Sequence, residues 1–532
     1  PNADPSSREH VTILLERWLH MWTSANEQVF GQYLQLMHQY GVLKTEEGAN
    51  RFFRISTELC VEACLKSHRP APNGQTEDGS TTVLTFTVMD ALSKLFLFLL
   101  RLADKEAADV VVRLNLLNRI LTAIARVLID DHEEKRNSDK VFDQRPFIRL
   151  LSDLMQDLGV CDEKTLEPNP AAVPLLSIYH QLFVVLAPSS VPGFSFAWLQ
   201  LISSKHFMPQ LLRVKEEKGW PYMHRLLHNL LSFLQPFLTS GNMNDPVRKL
   251  YKGTLRVLLV LLHDFPEFLC ENHLLFCDII PATCVQLRNL VLSAVPRVIR
   301  LPDPQAQGFK IESLQEIYQS PRMPAGYANA LGNLRQGLDA FLSTSQPPEF
   351  PSVVPGVLYN KNHQGESGGA YNVPLVNVVV TYVLESGAEY HKNHAPPGQL
   401  IKDSPAARIF LHLLGGQQDA LDQEGAFLVL NTIANQLRYP SSITYFCHTL
   451  LLYAFENIDN EVLREALLRV LLERLIVHKP HPWGLSCVFL ELIKNPRFAF
   501  WRQGFTKFSQ EIETVIGHLS QKDKAGQAGG TA

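Results

Sequence analysis

The sequence predicts an all-α protein, a solenoid of stacked helix pairs. Apolar residues recur at helical spacing through most of the chain, as at Leu226, Leu230 and Leu234. Short segments of proline, glycine and serine separate these apolar runs, which is typical of α-solenoids built from helix pairs. Segments with the pattern of β-strands are scarce. No regular repeat period is visible, so periodicity by itself supports only a repeat-like all-α fold.

The N-terminal part of the chain contains a series of apolar runs at helical spacing. They predict helices over Val11–Trp22, Arg51–Lys66, Val88–Leu102, Val110–Ile129 and Phe147–Leu158. Between Ala171 and Ser204 there is no Lys, Arg, Asp or Glu. A membrane span needs about 20 unbroken apolar residues, and Pro188–Gly193 divides this segment. It therefore predicts a buried helical hairpin, and we expect no membrane-spanning helix.

The C-terminal half continues the helical pattern. Leu255–Leu262 is apolar on almost every side and predicts a central helix that ends before Pro266. Further helices are predicted over Gln423–Gln436, Ile443–Phe455 and Val462–Val477. The stretch from Lys479 to Trp501 contains several prolines, which predict two short helices with aromatic residues beyond each of them.

One segment is ambiguous between strand and helix. Val376–Val383 is rich in β-branched residues, which favours a strand. The preceding Asn372-Val373-Pro374 instead suits a helix start, with proline in the first turn. A lone strand in an all-α chain has no partner for its backbone groups, so we predict a helix.

The length of the chain predicts either a division into domains or an extended solenoid. Its 532 residues exceed the roughly 250–300 at which a single core stops growing. We predict a helical lobe over 1–345, a flexible linker over 346–370, a second lobe over 371–518 and a disordered tail over 519–532. Loops are expected over Ser67–Thr82, Pro302–Gly308 and Thr344–Ala370, and an exposed polar insert over His391–Asp403. Because the chain begins at Pro1 rather than with methionine, we expect a fragment of a longer protein.

Charge and cysteine usage exclude several classes of protein. The net charge is −4 with 19% charged residues, which argues against a dedicated nucleic-acid-binding domain, since such domains are strongly basic. The 8 cysteines are scattered through apolar helical runs and do not form a disulfide framework. Free, buried thiols in a reducing compartment are the better interpretation.

Two sequence patterns could indicate a catalytic or a metal-binding site. Gly365-Glu366-Ser367-Gly368-Gly369 matches the G-x-S-x-G elbow of serine hydrolases, but no apolar strand precedes it, so a linker is the better interpretation of Ser367. Cys270, Cys277 and Cys284 recur every seven residues and hint at metal, yet Pro281 interrupts the helix they would share. No phosphate-binding loop or dinucleotide motif occurs, and we predict no enzyme activity, metal or cofactor.

Two groups of residues are candidate partner-binding sites. The aromatic group comprises Trp483, Phe498, Phe500 and Trp501, which either pack between helices or anchor a partner beside proline-stopped helices. The basic group comprises Arg288, Arg297 and Arg300, which either meet a phosphate or acidic peptide or cap helix ends. The residues alone leave both alternatives open.

Long motifs along the chain carry a resemblance to a known family. They include Phe194-Ser195-Phe196-Ala197-Trp198, His263-Asp264-Phe265-Pro266, Asn435-Gln436-Leu437-Arg438-Tyr439-Pro440 and His481-Pro482-Trp483-Gly484. In these motifs the chain resembles the C-terminal conserved domain of the large scaffold subunit of the CCR–NOT deadenylase complex. The likeness covers nearly the whole chain. It departs from the family pattern before Tyr371, in the insert His391–Asp403, and at Ile443–Phe446.

The resemblance implies a HEAT-like helical domain that is a docking platform rather than an enzyme. It implies binding of the NOT-box subunit heterodimer and of short motifs of RNA-associated repressors, with mRNA associated only indirectly. It also implies residence in the cytoplasm, including mRNA-processing bodies, and in the nucleus. A helical-repeat transport receptor and a serine hydrolase using Ser367 stand as alternatives.

Overall fold

The computed structural model of the protein is helical. It describes residues 5–24, 27–42, 44–66, 86–107, 110–138, 140–157, 172–360, 370–396, 398–415 and 419–502. Among these residues it forms 21 α-helices, several short 3-10 turns and a single isolated β-bridge, between Tyr359 and Tyr371. The predicted all-α fold class is confirmed. Contacts between residues divide the chain into two compact units, Pro1–Val257 and Leu258–Ala532.

The first unit holds ten complete helices of the described chain and most of an eleventh. They are α1 Pro5–Met21, α2 Glu27–Gln39, α3 Glu46–Lys66, α4 Thr87–Ala107, α5 Val110–Asn137, α6 Arg145–Asp157, α7 Ala172–Val185, α8 Ser195–Ile202, α9 Met208–Leu212, α10 Trp220–Ser240 and α11 Asp245–Asp264. Helices close in sequence pack on one another, as α3, α4, α5 and α6 do. The five helices predicted in the N-terminal part are confirmed.

Buried tryptophans join neighbouring helices in this unit. The indole N–H of Trp18 donates to the carbonyl of Ala91 at 2.7 Å, and that of Trp198 donates to the carbonyl of Phe183 at 2.8 Å. Because Trp198 lies on α8 and Phe183 on α7, the second bond closes the predicted hairpin. A buried indole needs such an acceptor, since an unpaired N–H loses its hydration without replacement.

The second unit begins inside α11 and contains the remaining helices of the described chain. They are α12 Pro266–Ile279, α13 Val285–Leu292, α14 Leu334–Thr344, α15 Phe350–Leu358, α16 Val373–His394, α17 Pro405–Leu414, α18 Gln423–Gln436, α19 Ser442–Asn457, α20 Glu461–Val477 and α21 Trp483–Lys494. The predictions for α18, α19 and α20 are confirmed.

Helix α16 lies at the centre of this unit. It packs against α17, α18 and α19, and its residues from Val376 to Thr381 are all buried. The side chain of Asn372 accepts a hydrogen bond from the Leu375 N–H at the helix start. The helix predicted over Val376–Val383 is therefore confirmed, and burial on all sides explains its β-branched composition.

Four expectations differ from the structure. Helix α15 lies inside the segment predicted as a loop and linker, because Phe350, Val354 and Leu358 share one helix face and are buried in the core. The apolar run Leu255–Leu262 is not buried on every side, since its exposed face includes Leu259.

The other two differences concern the insert and the C-terminal helices. His391 is buried at the end of α16, where its Nε2 lies 2.7 Å from the Gln399 carbonyl, so the predicted insert is not exposed throughout. One continuous helix, α21, replaces the two short helices predicted between Lys479 and Trp501. Buried residues recur from Trp483 through Val488 to Leu492, so one apolar face runs along the whole helix, and Pro496 lies beyond its end.

The predicted lobe boundaries stay predictions. The observed division between Val257 and Leu258 lies ahead of the boundary predicted at 345. The loop over Ser67–Thr82, the second part of the linker over 361–369 and the tail over 519–532 lie outside the described residues. None of the described helices combines the length and the hydrophobicity that crossing a membrane requires.

Candidate docking surface

Helix α21 begins directly after Pro482, and backbone carbonyls cap its first turn. The Trp483 N–H donates to the Arg438 carbonyl at 3.0 Å, and the Leu485 N–H donates to the Leu437 carbonyl at 3.1 Å. The first N–H groups of a helix have no partner within it. These two bonds therefore hold the start of α21 against the segment that follows α18.

Gly484 permits the close approach that these bonds require. A Cβ atom at this position would lie 2.5 Å from Cγ2 of Thr444 and 3.1 Å from the carbonyl carbon of Leu437. The Thr444 hydroxyl in turn lies 2.9 Å from the Gln436 carbonyl and 2.7 Å from the Tyr439 carbonyl. The segments 436–444 and 482–485 thus form one tightly packed corner.

Trp483 ties this corner to a distant loop, residues 301–312, which we call the strap. Its side chain is only 4% exposed, and its indole N–H donates to the Pro302 carbonyl at 2.7 Å. The ring of Phe309 meets the indole edge-on, with centroids 6.1 Å apart. Ile311, at the other end of the strap, packs in a small apolar cluster with Trp483 and Cys487. The strap is therefore fixed at both ends.

Two cavities lie beside the strap. The smaller one, the apolar pocket, has a volume of about 300 Å³ and is lined by Leu301, Leu475, Trp483 and Phe489 among others. The larger one, the cleft, has a volume of about 1470 Å³. The strap residues 303–312 form one wall of the cleft, and residues of α19 and α21 form much of the remainder.

His448 on α19 lines the cleft with an uncharged ring. The residue is 6% exposed, and burial lowers the pKa of its imidazole to about 4. The ring is therefore neutral near pH 7. Its Nδ1 atom has no hydrogen-bond partner among the described residues. Most buried polar atoms do have a partner, so this atom is an exception.

The remaining aromatic candidates lie in different environments. Phe498 and Phe500 are buried, and they meet the rings of Phe455 and Phe489 edge-on. Trp501 is 49% exposed. Of the four predicted aromatic residues, Trp483, Phe498 and Phe500 thus pack in the interior, and Trp501 offers a free face. Whether any of them contacts a partner stays a prediction.

The basic candidates lie at the ends of helices. Arg288 donates to the carbonyls of Cys277 and Ile280, at 3.2 and 2.8 Å, beside the end of α12. Arg297 donates to the last carbonyls of α11, one of them at Asp264. Arg300 is exposed. The first two side chains therefore cap helix ends, which is favourable for a cation there, and a role in binding stays a prediction.

A buried arginine joins α18 to α20 in a way that the sequence did not predict. The guanidinium of Arg474 donates to Oδ1 of Asn431 at 2.6 Å and to Oδ1 of Asn435 at 2.7 Å. Burial lowers the pKa of Arg474 to about 10, so it still carries its charge near pH 7. Asparagine oxygens compensate a buried cation only in part. The pattern that predicted a helix over Val462–Val477 gave no signal of this role.

A second buried network joins α12, α16 and α18. Asn377 donates to a carboxylate oxygen of Asp278 at 2.6 Å and lies 2.6 Å from the Thr432 hydroxyl, which donates to its amide oxygen. Burial raises the pKa of Asp278 to about 6, although the bond from Asn377 opposes this rise. The network fixes three helices relative to one another.

The residues singled out for chemistry do not assemble. Cys270 and Cys277 lie on α12, whereas Cys284 precedes α13, so the three thiols share no helix face. The described part of the chain contains no cluster of three or more His, Cys, Asp or Glu residues suited to a metal. Its described cysteines are free thiols, as expected. Ser367 lies outside the described residues.

Comparison with known proteins identifies the family. A sequence model of the family described as "CCR4-Not complex component, Not1" matches residues 160–520, more than half of the chain. The chain belongs to the Not1 family. The resemblance predicted from its motifs is therefore confirmed.

The chain is similar along nearly its whole length to three relatives. The chain is 35% identical over 536 residues to the CCR4-NOT transcription complex subunit let-711 of Caenorhabditis elegans. It is 30% identical over 522 residues to the general negative regulator of transcription subunit 1 of Schizosaccharomyces pombe, and 26% identical over 541 residues to that of Saccharomyces cerevisiae. The matches cover 96–97% of this Not1-family chain but only 20–24% of those proteins.

Two solved structures share the fold. The NOT1 superfamily homology domain of Chaetomium thermophilum superposes with a TM-score of 0.82 at 21% identity, covering 97% of this chain and 99% of that one. A Not1 C-terminal domain in complex with Not4 superposes with a TM-score of 0.78 at 24% identity, covering 96% and 100%. These matches agree with the predicted fold class of stacked helices.

Proposed function

We propose that this chain is a non-catalytic scaffold module of an mRNA deadenylation and translational repression complex. Its main task in this proposal is to dock the heterodimer of the two NOT-box subunits. The family match over residues 160–520 carries the proposal, because it ties the chain to a component of the CCR4-Not complex. The deadenylase activity resides in other subunits, and the chain needs no cofactor.

Exposed apolar side chains support a role in protein binding. Leu259 and Val260 are exposed at the end of α11, and Ile476 and Val477 are exposed at the end of α20. Each pair breaks the usual rule that the outer face of a helix is polar. Stable protein–protein interfaces bury side chains of this kind in their centres.

Further partners belong to the same proposal. The Not1 C-terminal domain whose fold is similar is described in complex with Not4, and we extend this binding to the present chain. Short motifs of RNA-associated repressors dock on the same module and connect it indirectly to mRNA. The module works in the cytoplasm, including mRNA-processing bodies, and in the nucleus.

A catalytic role has little physical support at the cleft. Cys487 and His448 both line it, which would suit a thiol–imidazole pair. However, burial raises the pKa of the Cys487 thiol to about 12 and lowers the pKa of His448. The thiol therefore stays protonated near pH 7, and a protonated thiol is a poor nucleophile.

Co-elution with the NOT-box heterodimer tests the proposal. The purified chain and the recombinant heterodimer are mixed at micromolar concentration and separated by size-exclusion chromatography. We expect one complex peak that contains all three chains. Separate elution of the chain and the heterodimer would contradict the proposed docking role. Labelling of the chain by a fluorophosphonate probe would revive the hydrolase alternative at Ser367.

A further inference from the structure

We propose that Ser320 is a phosphorylation site for a proline-directed protein kinase, and that the phosphate lies between Lys392 and the start of α19. Ser320 is exposed in a segment that follows the short 3-10 turn Gln315–Tyr318. The inference goes beyond the proposed function and does not depend on it. Its support comes from the dipeptide, the backbone conformation and the groups around the hydroxyl.

The chain contains two dipeptides of the kind that proline-directed kinases recognise, a serine followed directly by proline. They are Ser320-Pro321 and Ser404-Pro405, and no threonine precedes a proline. Ser404 is only 2% exposed, and its Oγ accepts a hydrogen bond from the Ala407 N–H at 3.3 Å as the cap of α17. Ser320 is exposed. A kinase can therefore reach Ser320 in the folded chain, whereas Ser404 becomes accessible only when the start of α17 opens.

The backbone around Ser320 already has the conformation that a kinase substrate needs. Kinases bind the residues around the acceptor as an extended chain. Gln319 is extended, with φ −98° and ψ 123°, and a residue that precedes proline, such as Ser320, disfavours the helical region. Residues 319–324 form no helix, and Arg322 is exposed. The carbonyl of Gln319 accepts from the Ser442 N–H at 2.9 Å, so one hydrogen bond holds this segment to α19 just before the acceptor.

The Ser320 hydroxyl is held only weakly. It donates to Oε2 of Glu389 at 3.4 Å, which is long for such a bond, and it accepts from the Ser442 hydroxyl at 3.2 Å. In the transfer, the Ser320 oxygen forms a bond to the γ-phosphorus of ATP. The bond from this phosphorus to the β,γ-bridging oxygen breaks, ADP leaves, and the hydroxyl proton passes to the catalytic aspartate of the kinase.

Phosphorylation changes which groups Ser320 contacts. The phosphate adds a charge of about −1.5 to −2 near pH 7, and the serine loses the proton that it donated to Glu389. Phosphate and carboxylate then repel each other. The Lys392 Nζ lies 3.6 Å from the same Oε2 atom of Glu389 that Ser320 contacts, so this ammonium is close enough to pair with the phosphate. Ser442 belongs to the first turn of α19, where the helix dipole favours an anion.

Phosphorylation of the full chain in vitro tests the site. The purified chain is incubated with ATP and with two purified proline-directed kinases, one cyclin-dependent and one mitogen-activated, and phosphates are located by mass spectrometry of its peptides. We expect Ser320 to be phosphorylated at least about tenfold faster than Ser404. Pro321→Ala should slow phosphorylation of Ser320 at least about tenfold. The matched control, Pro405→Ala, changes the other dipeptide and should leave the rate at Ser320 unchanged.

Thermal denaturation tests where the phosphate lies. The change in Tm on phosphorylation is measured for the wild type, Glu389→Gln and Lys392→Gln. Because Glu389 repels the phosphate, the change should be more favourable in Glu389→Gln than in the wild type, by roughly 1 °C. Because Lys392 attracts the phosphate, the change should be less favourable in Lys392→Gln by a similar amount. Equal changes in all three proteins would overturn the proposed position of the phosphate.

Three outcomes would overturn the site itself. They are no phosphate on Ser320 with either kinase, equal rates at Ser320 and Ser404, and an unchanged rate at Ser320 in Pro321→Ala. If Pro321→Ala fails to fold, the comparison of Ser320 with Ser404 in the wild type still decides. Co-elution of the unphosphorylated chain with the NOT-box heterodimer is measured separately, and its failure contradicts the scaffold role alone.

Discussion

Replacing Trp483 by alanine tests how the strap is attached. The indole is almost fully buried, and its truncation removes both its packing and the hydrogen bond to the Pro302 carbonyl. Truncating a buried tryptophan destabilises a protein by about 3–5 kcal/mol. We expect a value near the lower end, about 3 kcal/mol, because the apolar pocket beside the indole lets its neighbours relax. The lost hydrogen bond accounts for about 1 kcal/mol of this.

Thermal denaturation of the variant measures this loss. For a unit of a few hundred residues, a loss of about 3 kcal/mol lowers the Tm by roughly 5–10 °C. Trp483→Phe keeps most of the buried area and should lose about 1–2 kcal/mol. Trp501→Ala is the matched control, because Trp501 is half-exposed and its loss should change the Tm by no more than about 2 °C. Hydrogen exchange of the strap amides should also become faster in Trp483→Ala.

Two results would refute this reasoning. The first is an unchanged Tm for Trp483→Ala together with weaker binding of the NOT-box heterodimer, which would make the indole a partner anchor rather than an internal contact. The second is equal destabilisation by Trp483→Ala and Trp501→Ala, since the two side chains differ so strongly in burial.

Three further predictions concern the second unit. Gly484→Ala should lower the free energy of unfolding, measured in urea, by about 1–3 kcal/mol, because its Cβ would collide with Thr444. In the control Gly356→Ala the new Cβ meets no atom, so this variant should be neutral or slightly stabilising, and equal effects of the two substitutions would contradict the packing around Gly484. The pKa of His448 is lowered to about 4 from its usual 6.5, so the free energy of unfolding should fall as the pH drops from 6.5 toward 4, because the unfolded chain protonates the ring first. His448→Gln should remove up to about 3 kcal/mol of this fall, and an unchanged dependence of the free energy of unfolding on pH would contradict burial of the neutral ring. Asn377→Ala leaves Asp278 without its amide donor, so it should lower the free energy of unfolding in urea by about 2–4 kcal/mol and raise the pKa of Asp278 further. A loss below about 0.5 kcal/mol would contradict the buried network.

Local sequence signals predicted most of the helices. Helix α16 shows how, because Asn372 and Pro374 mark its start and a β-branched run alone does not make a strand. Helix α15 shows the limit of the same reasoning. Pro351 in its first turn and Pro355 within it suggested a loop. Pro351 lies where a helix N–H has no internal partner, whereas Pro355 removes one hydrogen bond of the helix, and burial of Phe350, Val354 and Leu358 compensates this loss. Tertiary packing overrides a local propensity in such a segment.

The site depends on contacts that no local pattern contains. The bond from Trp483 to Pro302 joins residues 181 positions apart, and together with the packing of Ile311 it places the strap beside α21, where the cleft lies. The sequence left two alternatives for Trp483, packing between helices or anchoring a partner, and could not choose between them. Likewise, the spacing of Arg288 and Arg297 does not reveal that the carbonyls of two helix ends lie within their reach. Long motifs nevertheless sufficed to recognise the family.

A chain that acts by holding other proteins on its helices must bind them as a folded platform. Isothermal titration of the NOT-box heterodimer into the purified chain tests this most directly. We expect one heterodimer per chain with a Kd in the micromolar range or tighter, about −8 kcal/mol or more favourable. The absence of binding at tens of micromolar, with the chain folded by circular dichroism, would contradict the scaffold function.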